Sequence, residues 1–239
     1  MGLTKEAAVK PVAISEIFSS LQGEGPHMGE PHLFVRFQDC HIHCAYCDEL
    51  DKPGRLMELE DVVQTVKRLD VDEGPHRFVS YTGGEPLMYV SFLKPLLTQL
   101  RSESYRAYLE TNGILVQALE RVIDQVDVVA MDIKLKSVTR ETRNYFEEHR
   151  AFLRLSRRAP EVFVKMVVSP EVSEDEFLMG VRIMECEDPA IPLILQGVTS
   201  EAIDAERQSL ILRELQKQAL RYLADVRVMP RLHVAMGIR

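Results

Sequence analysis

The sequence contains no tryptophan and only four cysteines among its 239 residues. Four thiols are too few for the disulfide framework of a secreted domain. No stretch approaches the roughly 18 apolar residues that a membrane span requires, and the first residues lack the apolar segment of a signal peptide. These absences predict a cytoplasmic protein with no membrane partner.

An excess of basic charge is also lacking, because the formal net charge is -8 at pH 7. A general nucleic-acid surface needs clustered lysine and arginine to neutralise phosphates, so no nucleic-acid partner is expected. The 46% hydrophobic and 28% charged residues are typical of an ordinary soluble globular domain. The length suits one sizeable core, which predicts a single domain over residues 1–239.

Three of the four cysteines lie within one short polar segment, residues 39–49, with the sequence DCHIHCAYCDE. Cys40, Cys44 and Cys47 can converge on one metal centre. Iron–sulfur clusters normally take four thiolates, so three would leave one iron open to a non-protein ligand. A zinc site completed by His41 or His43, or unligated thiols, are the alternatives that spacing leaves open.

The cysteine spacing C-x3-C-x2-C, followed downstream by TGGEP at Thr82–Pro86, resembles the radical S-adenosylmethionine (SAM) superfamily. The resemblance implies one 4Fe-4S cluster per subunit, held by the three cysteines. It also implies that SAM binds the fourth iron and is split by an electron from the cluster into a 5′-deoxyadenosyl radical.

Strand and helix patterns alternate along the chain at intervals of roughly 25 to 35 residues, which is typical of βα units and a parallel sheet. The count favours an α/β partial (β/α)6 barrel, the usual core of the superfamily, although spacing alone also permits an open doubly wound sheet. The predicted strands are 12–22, 32–38, 77–82, 106–110, 126–133, 162–168, 191–196 and 225–228; the predicted helices are 58–70, 89–101, 115–124, 140–155, 173–184 and 201–223.

Polar and glycine residues follow several of these strands, and ligands collect at the carboxyl ends of parallel strands. Gly83 and Gly84 would let the backbone approach a ligand and offer its N–H groups to a carboxylate. An ETNG strand exit and an Asp132–Lys134 pair also have purely structural interpretations. The resemblance implies SAM contacts from Tyr46, Asp48, Gly84, Glu85, Glu110, Asn112, Asp132, Lys134 and Gln196.

Within the superfamily, LQGEG at residues 21–25 and VRF at residues 35–37 resemble the 7-carboxy-7-deazaguanine synthase family. That family converts 6-carboxy-5,6,7,8-tetrahydropterin to 7-carboxy-7-deazaguanine with loss of ammonia, towards queuosine and related 7-deazapurines. Arg36 either grips the substrate carboxylate bidentately or is a strand-end residue that reaches water. The implied substrate contacts are Leu21, Gln22, Gly23, Glu24, Arg36, Thr82 and His233.

Two positions depart from the family pattern. Glu49 stands where many relatives carry a threonine that binds Mg²⁺, and its carboxylate is a hard oxygen ligand that could take over this role. Asp132-Ile133-Lys134 replaces Ser-Pro-Lys and also occurs in glycyl-radical activating enzymes, which supply the main alternative function. A non-enzymatic zinc module is the third. The resemblance further implies a homodimer and a flavodoxin- or ferredoxin-type electron donor.

Overall fold

The computed structural model describes residues 9–49, 52–199 and 204–237. Within these ranges, one sheet of nine strands runs in the spatial order β3-β1-β2-β4-β5-β6-β7-β8-β9. The strands are β1 (Val12–Leu21), β2 (Pro31–Phe37), β3 (Arg55–Met57), β4 (Phe78–Gly83), β5 (Arg106–Thr111), β6 (Val128–Asp132), β7 (Glu161–Val168), β8 (Leu193–Gly197) and β9 (Val226–Val228).

Strand β2 and strands β4 to β9 pair in parallel, whereas β1 pairs antiparallel with β2 and β3. Helical segments follow six of the parallel strands before the next parallel strand begins, and this confirms the predicted α/β partial barrel. The helices are α1 (Leu59–Glu73), α2 (Val90–Ser102), α3 (Val116–Glu120), α4 (Lys136–Thr139), α5 (Phe146–Ser156), α6 (Glu174–Glu187), α7 (Ala205–Ala219) and α8 (Leu232–Met236).

The helices and the outer face of the sheet share the main hydrophobic core. On β2, Leu33, Val35 and Phe37 are fully buried in it, as the alternating pattern predicts. Ser173 caps α6 by accepting a hydrogen bond from the Glu176 backbone, and Asp204 caps α7 in the same manner. No helix in the described part of the chain is long and apolar enough to cross a membrane.

The inner face of the sheet has an apolar floor and a polar upper layer. The floor is a separate cluster near the amino ends of the parallel strands, formed by Phe78, Tyr108, Val128, Phe163 and Ile194. Two residues further along β4, β5, β7 and β8, polar side chains replace the apolar ones, and on β6 the change comes four residues on, at Asp132. Because side chains alternate across a strand, these polar side chains face the same interior as the floor.

Several helix bounds differ from the sequence prediction. The helix predicted over residues 140–155 begins only at Phe146, as α5, and residues 140–145 separate it from the short α4, which ends at Thr139. The segment 115–124 forms the single short turn α3 and then a 3-10 turn at Ile123–Gln125. Strand β3 and helix α8 were not predicted, since both are short and carry no periodic apolar pattern. Helix α7 ends at Ala219, before the predicted limit, and residues 201–203 of that prediction lie outside the described residues.

Candidate active site

A cavity opens at the carboxyl ends of the parallel strands, where the sequence places the ligand-binding residues. Predicted positions line it together: Leu21, Gln22, Gly23, Glu24, Arg36, Cys40, Cys44, Tyr46, Cys47, Asp48, Glu49, Thr82, Gly84, Glu110, Asn112, Asp132, Lys134 and Gln196. Glu85 lies outside this lining. His233 lies within α8, but its side chain falls outside the described residues.

The cysteine loop between β2 and β3 is held from both sides by hydrogen bonds. The Ala45 N–H donates to the Thr139 carbonyl over 2.8 Å, and the His43 N–H donates to Glu141 Oε1 over 2.7 Å. On the opposite side, Asn112 Nδ2 donates to Cys40 Sγ over 3.7 Å. The loop after β6 and the turn after β5 therefore fix the backbone that carries the three thiols.

The donor set of this loop fits an iron–sulfur cluster better than a single zinc ion. All four cysteines are free thiols. A tetrahedral zinc with Zn–S bonds of about 2.3 Å needs sulfur atoms roughly 3.8 Å apart. Among the described residues, no three donor atoms of this loop lie within 4.8 Å of one another. His43 is exposed, so the zinc alternative has no assembled ligand set here.

Burial sets the protonation of the thiols. It raises the pKa of Cys40 to about 11, and it also raises the pKa of Cys44. Both groups therefore carry protons at neutral pH until a metal displaces them, because thiolate is the form that ligates iron.

The two glycines at the end of β4 are required because the backbone at the end of β2 passes too close to them for a side chain to fit. A Cβ atom on Gly84 would lie 2.0 Å from the Asp39 carbonyl oxygen, and Gly83 has a φ of +102°. The N–H groups of Gly84 and Glu85 donate to the carbonyls of Phe37 and Asp39 over 2.7 and 2.8 Å. The Gly84 N–H is thus not available to a carboxylate, contrary to the interpretation drawn from the sequence, which offers the N–H groups of Gly83 and Gly84.

Glu85 supports the cavity wall from behind instead of lining it. Its fully buried carboxylate accepts hydrogen bonds from the backbone N–H of Asn112 and Leu87, over 2.8 and 3.0 Å, and from the Thr111 hydroxyl. Burial raises the pKa of Glu85 to about 7, although these donors favour its ionised form. Its role in this structure is to shape the turn that presents Asn112.

Three charged side chains form a network across β6 and β7. Lys134 Nζ donates to Asp132 Oδ2 over 2.6 Å and lies 3.4 Å from the Tyr46 hydroxyl. Lys165 Nζ approaches Asp132 Oδ1 at 3.4 Å and is also paired with Glu24. Burial opposes ionisation of Asp132, but the two ammonium groups outweigh it and lower the pKa of Asp132. The carboxylate is therefore ionised at neutral pH.

Lys165 was missed because the strand EVFVKMVV reads as a nearly continuous apolar run. The signal that could have found it is a lone lysine on the interior-facing positions of a predicted buried strand, because an unpaired interior charge is costly. Arg231 was also missed. It lines the cavity and pairs with Asp48 over 3.0 Å.

Glu110 links the segment after β1 to β4. It accepts hydrogen bonds from Gln22 Nε2 over 3.0 Å and from the Thr82 hydroxyl over 2.6 Å. Burial is the first cause of a raised pKa for Glu110. The contacts hold Gln22 and Thr82 against the interior face of the barrel.

Arg36 projects from β2 into the same interior. It is therefore not a strand-end residue whose side chain simply reaches water. Its Nη1 lies 3.1 Å from Glu16 Oε2 and 3.4 Å from Glu49 Oε1, and its guanidinium lies 4.9 Å from the centre of the Phe18 ring. The Arg36 Nε atom is buried without a hydrogen-bond partner among the described residues. One edge of the guanidinium thus retains donor capacity.

Unpartnered polar atoms concentrate on the cavity wall. Within the described ranges, buried atoms without hydrogen-bond partners include Arg36 Nε, Glu49 Oε2, Asn112 Oδ1 and Gln196 Nε2. Buried polar groups in proteins are normally satisfied, so a wall with this many unsatisfied donors and acceptors fits a polar ligand. Both donors and acceptors are present, as the binding of a molecule with amino, carboxylate and hydroxyl groups requires.

Comparison with known proteins agrees with this geometry. The radical SAM superfamily profile matches residues 34–182. The chain is 37% identical to the 7-carboxy-7-deazaguanine synthase of Geobacter sulfurreducens, over 95% of this chain and 98% of that protein. It is 32% identical to the 7-carboxy-7-deazaguanine synthase of Methanothermobacter thermautotrophicus, over 95% and 97% of the two chains.

Solved structures show the same fold at lower identity. The crystal structure of QueE from Escherichia coli superposes with a TM-score of 0.63 and 20% identity, over 92% of this chain and 94% of that chain. Streptococcus suis SuiB bound to S-adenosylmethionine gives a TM-score of 0.56 and 16% identity, over 83% and 47%. The relatives do not favour the glycyl-radical activating alternative. The cysteine loop, the partial barrel and the curated relatives lead to one assignment: the chain belongs to the radical SAM superfamily and, within it, to the 7-carboxy-7-deazaguanine synthase family.

Proposed function

We propose that this chain converts 6-carboxy-5,6,7,8-tetrahydropterin to 7-carboxy-7-deazaguanine with release of ammonia. The observation that carries the proposal is one cavity with two ends: the cysteine triplet at its rim, and the Arg36, Gln22 and Glu110 wall inside the barrel. A small carboxylated heterocycle matches this interior, since it offers a carboxylate for a guanidinium and a polar ring edge for amide and carboxylate groups.

Membership of the superfamily implies a 4Fe-4S cluster and SAM as cofactors. The cluster would be held by Cys40, Cys44 and Cys47. When bound, the two cofactors together supply one-electron cleavage of SAM, which provides the radical that starts the reaction. The protein's own part is to position the thiolates, to bind SAM beside them and to exclude water from the barrel interior.

The SAM contacts remain a proposal supported by the cavity lining. Asn112 Oδ1 and Gln196 Nε2 are buried and unpartnered, so they can bind ribose hydroxyls or the adenine edge. Lys134 lies beside Tyr46 and near the cysteine loop, where its ammonium can meet the carboxylate of SAM. Gly84, Asp48, Glu110 and Asp132 complete the proposed lining, whereas Glu85 acts through the Asn112 turn.

The substrate contacts rest on the β1–β2 connection and β2. Gln22 is fixed by Glu110, Glu24 is paired with Lys165, and Thr82 lies opposite Arg36 in the sheet register. Leu21 and Gly23 line the same wall. Because Arg36 lines the same cavity, the arrangement supports a pterin with its carboxylate at Arg36 and its pyrimidine edge at these groups.

Replacing Arg36 by alanine tests substrate binding separately from radical chemistry. We expect the KM for the carboxypterin to rise at least about tenfold, because a charge-assisted hydrogen bond contributes about 1.5–3 kcal/mol. Iron content and uncoupled SAM cleavage should stay at wild-type levels. Arg213→Ala, an exposed position on α7, is the matched control. Loss of the cluster in Arg36→Ala would assign this residue a structural role instead.

Mg²⁺ is proposed at Glu49. Its Oε1 pairs with Lys52 over 2.7 Å and with Arg36, while Oε2 is buried without a hydrogen-bond partner. An unpartnered carboxylate oxygen is the donor type that Mg²⁺ prefers. We expect Glu49→Gln to raise the Mg²⁺ concentration for half-maximal turnover by about tenfold, because a formal ligand charge is lost. Glu147→Gln on the surface of α5 is the control, and wild-type turnover that ignores Mg²⁺ would refute this site.

Product analysis tests the function itself. Anaerobically reconstituted protein with SAM, dithionite, Mg²⁺ and the carboxypterin should release ammonia and 7-carboxy-7-deazaguanine in equal amounts. SAM cleavage assayed without substrate reports whether the radical machinery is intact. An intact cluster that cleaves SAM but leaves the pterin unchanged would contradict the proposal.

We also retain the remaining sequence predictions as proposals. They are one domain over the whole chain, a homodimer, a cytoplasmic location and a flavodoxin- or ferredoxin-type electron donor. Light scattering coupled to size-exclusion chromatography measures the association state directly, and a monomer at micromolar concentration would refute the proposed dimer. Turnover supported by reduced flavodoxin or ferredoxin, in place of dithionite, tests the donor.

A further inference from the structure

A second group of potential metal ligands lies at the amino ends of the parallel strands, away from the cysteine loop. Among the described residues, His27, Glu30 and His32 offer one ligand atom each, all within 4.8 Å of one another. His27 and Glu30 belong to the β1–β2 connection, and His32 begins β2. None of the three lines the cavity at the carboxyl ends.

Each of the two imidazoles has one nitrogen close to a hydrogen-bonding partner, and the other nitrogen makes no hydrogen bond. His32 Nδ1 lies 2.8 Å from the Ser80 hydroxyl, and His27 Nε2 lies 2.9 Å from Glu161 Oε1. The opposite nitrogens, His32 Nε2 and His27 Nδ1, are buried without hydrogen-bond partners in the described part of the chain. His32 is fully buried, so water cannot readily satisfy its Nε2 atom.

This is the arrangement that metal-binding histidines adopt. A ligating histidine usually donates its other N–H to a carboxylate, carbonyl or hydroxyl, which fixes the tautomer and the ring orientation. Glu161 would do this for His27, and Ser80 would do it for His32. Burial also lowers the pKa of His32 to about 3, so its ring is neutral and keeps a lone pair for a metal.

The donor types favour zinc, and the one short spacing between ligand atoms is compatible with it. Glu30 Oε2 lies 3.1 Å from His27 Nδ1 without hydrogen-bond alignment. Two ligands at about 2.0–2.1 Å from a tetrahedral zinc are roughly 3.3 Å apart. Two imidazole nitrogens and one carboxylate oxygen are typical zinc donors, whereas Mg²⁺ and Ca²⁺ prefer oxygen alone. Glu30 is half exposed, which leaves the fourth position to water.

The surrounding packing would hold such a site rigid. The His27 ring packs edge-on against Phe78 and Tyr108, with centroids 5.1 and 5.5 Å apart, and the His32 ring stacks on Phe78 at 4.8 Å. These aromatic rings are part of the apolar floor of the barrel. A dry shell of this kind strengthens metal–ligand interactions and fixes the rings.

We propose that His27, Glu30 and His32 form a zinc-binding site at the amino end of the barrel. The site would fasten the β1–β2 connection, which carries Gln22 and Glu24 into the active-site cavity, to the start of β2. It is separate from the iron–sulfur cluster and from the proposed Mg²⁺ position. Its role is structural, because its ligands lie on the far side of the aromatic floor from the cysteine loop.

Zinc binding to the cluster-loaded protein tests the proposal, because the cysteine triplet is then already occupied. We expect dialysis against Zn²⁺ to leave one zinc per chain, measured by mass spectrometry of the metal. X-ray absorption at the zinc edge should show nitrogen and oxygen ligands and no sulfur. Hydrogen exchange of residues 24–30 should slow when zinc binds.

Single variants then identify the ligands. Glu30→Gln and His27→Gln should weaken zinc binding at least about tenfold, and Glu161→Gln should weaken it about 10- to 100-fold through the lost support of His27. Glu73→Gln, an exposed carboxylate at the end of α1, is the matched control. Glu30 is half exposed, so its variant should fold normally. Wild-type protein that retains no stoichiometric zinc, zinc bound through sulfur, or unchanged affinity in both Glu30→Gln and His27→Gln would overturn the site.

Discussion

Cys44→Ser should abolish SAM cleavage and the brown iron–sulfur chromophore, and we expect this to be the largest effect of any single substitution. In the proposed site three thiolates hold the cluster, so the loss of one would leave two irons without protein ligands. Turnover should fall by at least about a thousandfold, which corresponds to more than about 4 kcal/mol of lost transition-state stabilisation. Iron and acid-labile sulfide content and the yield of 5′-deoxyadenosine measure the effect.

The chain supplies its own control for this experiment. Cys186 is an exposed free thiol on α6, remote in sequence from the cysteine loop. Cys186→Ser makes the same chemical change and should leave iron content and SAM cleavage at wild-type levels. A Cys44→Ser protein that retained a full cluster and radical formation would remove the basis of the proposed function. The same holds for Cys40→Ser and Cys47→Ser.

Much of the scaffold around these thiols follows from local sequence patterns. The alternation in β2 puts Leu33 and Arg36 on opposite faces of the strand, because side-chain direction in a strand has a period of two. The structure then shows which face is which, with Leu33 in the helix-covered core and Arg36 in the cavity lining. The ordering of strands and helices predicts the parallel sheet for a similar reason. Patterns that repeat over many residues are the ones that a single sequence expresses clearly.

The site was harder to predict where contacts join segments distant in sequence. Glu85 was assigned to SAM binding because it belongs to the TGGEP segment. In the structure its buried carboxylate accepts hydrogen bonds from Thr111 and from the Asn112 backbone instead of lining the cavity, whereas Gly84 does line it. Lys165 lies 141 residues from its partner Glu24, so no local pattern marks the pair. Such long-range pairings depend on strand order and register, which periodicity does not encode.

The proposed zinc ligands His27 and Glu30 also could not be recognised from their spacing in the sequence. The segment GPHMGEPH holds both residues and His32 within six positions, yet it reads as a turn rich in glycine and proline. What distinguishes it is the pair of partners supplied from β4 and β7, Ser80 and Glu161. Only the folded sheet brings these partners to the histidines.

Asp132→Asn should be the most destabilising conservative change in the cavity wall. Asp132 is the shared counter-ion of Lys134 and Lys165, and all three side chains are less than one-fifth exposed. Removing one partner of a largely buried ion pair leaves an uncompensated charge, which costs about 3 kcal/mol here after allowance for partial exposure. For a chain of this length, that loss lowers Tm by roughly 6–12 °C.

The surface pair Asp225–Arg227 provides the matched comparison for Asp132→Asn. Asp225→Asn removes a carboxylate with two hydrogen bonds to Arg227, at 2.9 and 2.6 Å, but that pair is exposed to solvent. Exposed ion pairs contribute about 0–1 kcal/mol, so its Tm should change by no more than about 4 °C. Equal effects of the two substitutions would contradict the charge network assigned to the cavity wall.

The pH dependence of the Asp132→Asn deficit separates charge from shape. Because the folded protein lowers the pKa of Asp132, its stabilising contribution is complete above the ordinary carboxyl pKa of about 4 and is lost only as the pH falls through the lower folded value. The deficit in Tm should therefore stay constant from about pH 6 to about pH 8. A deficit that grows or shrinks across this range would mean that another titrating group, rather than the Asp132 carboxylate, balances the two lysines. Scanning calorimetry of the anaerobic holoproteins measures this difference in Tm. The iron content checks that the wild type and Asp132→Asn both carry the cluster.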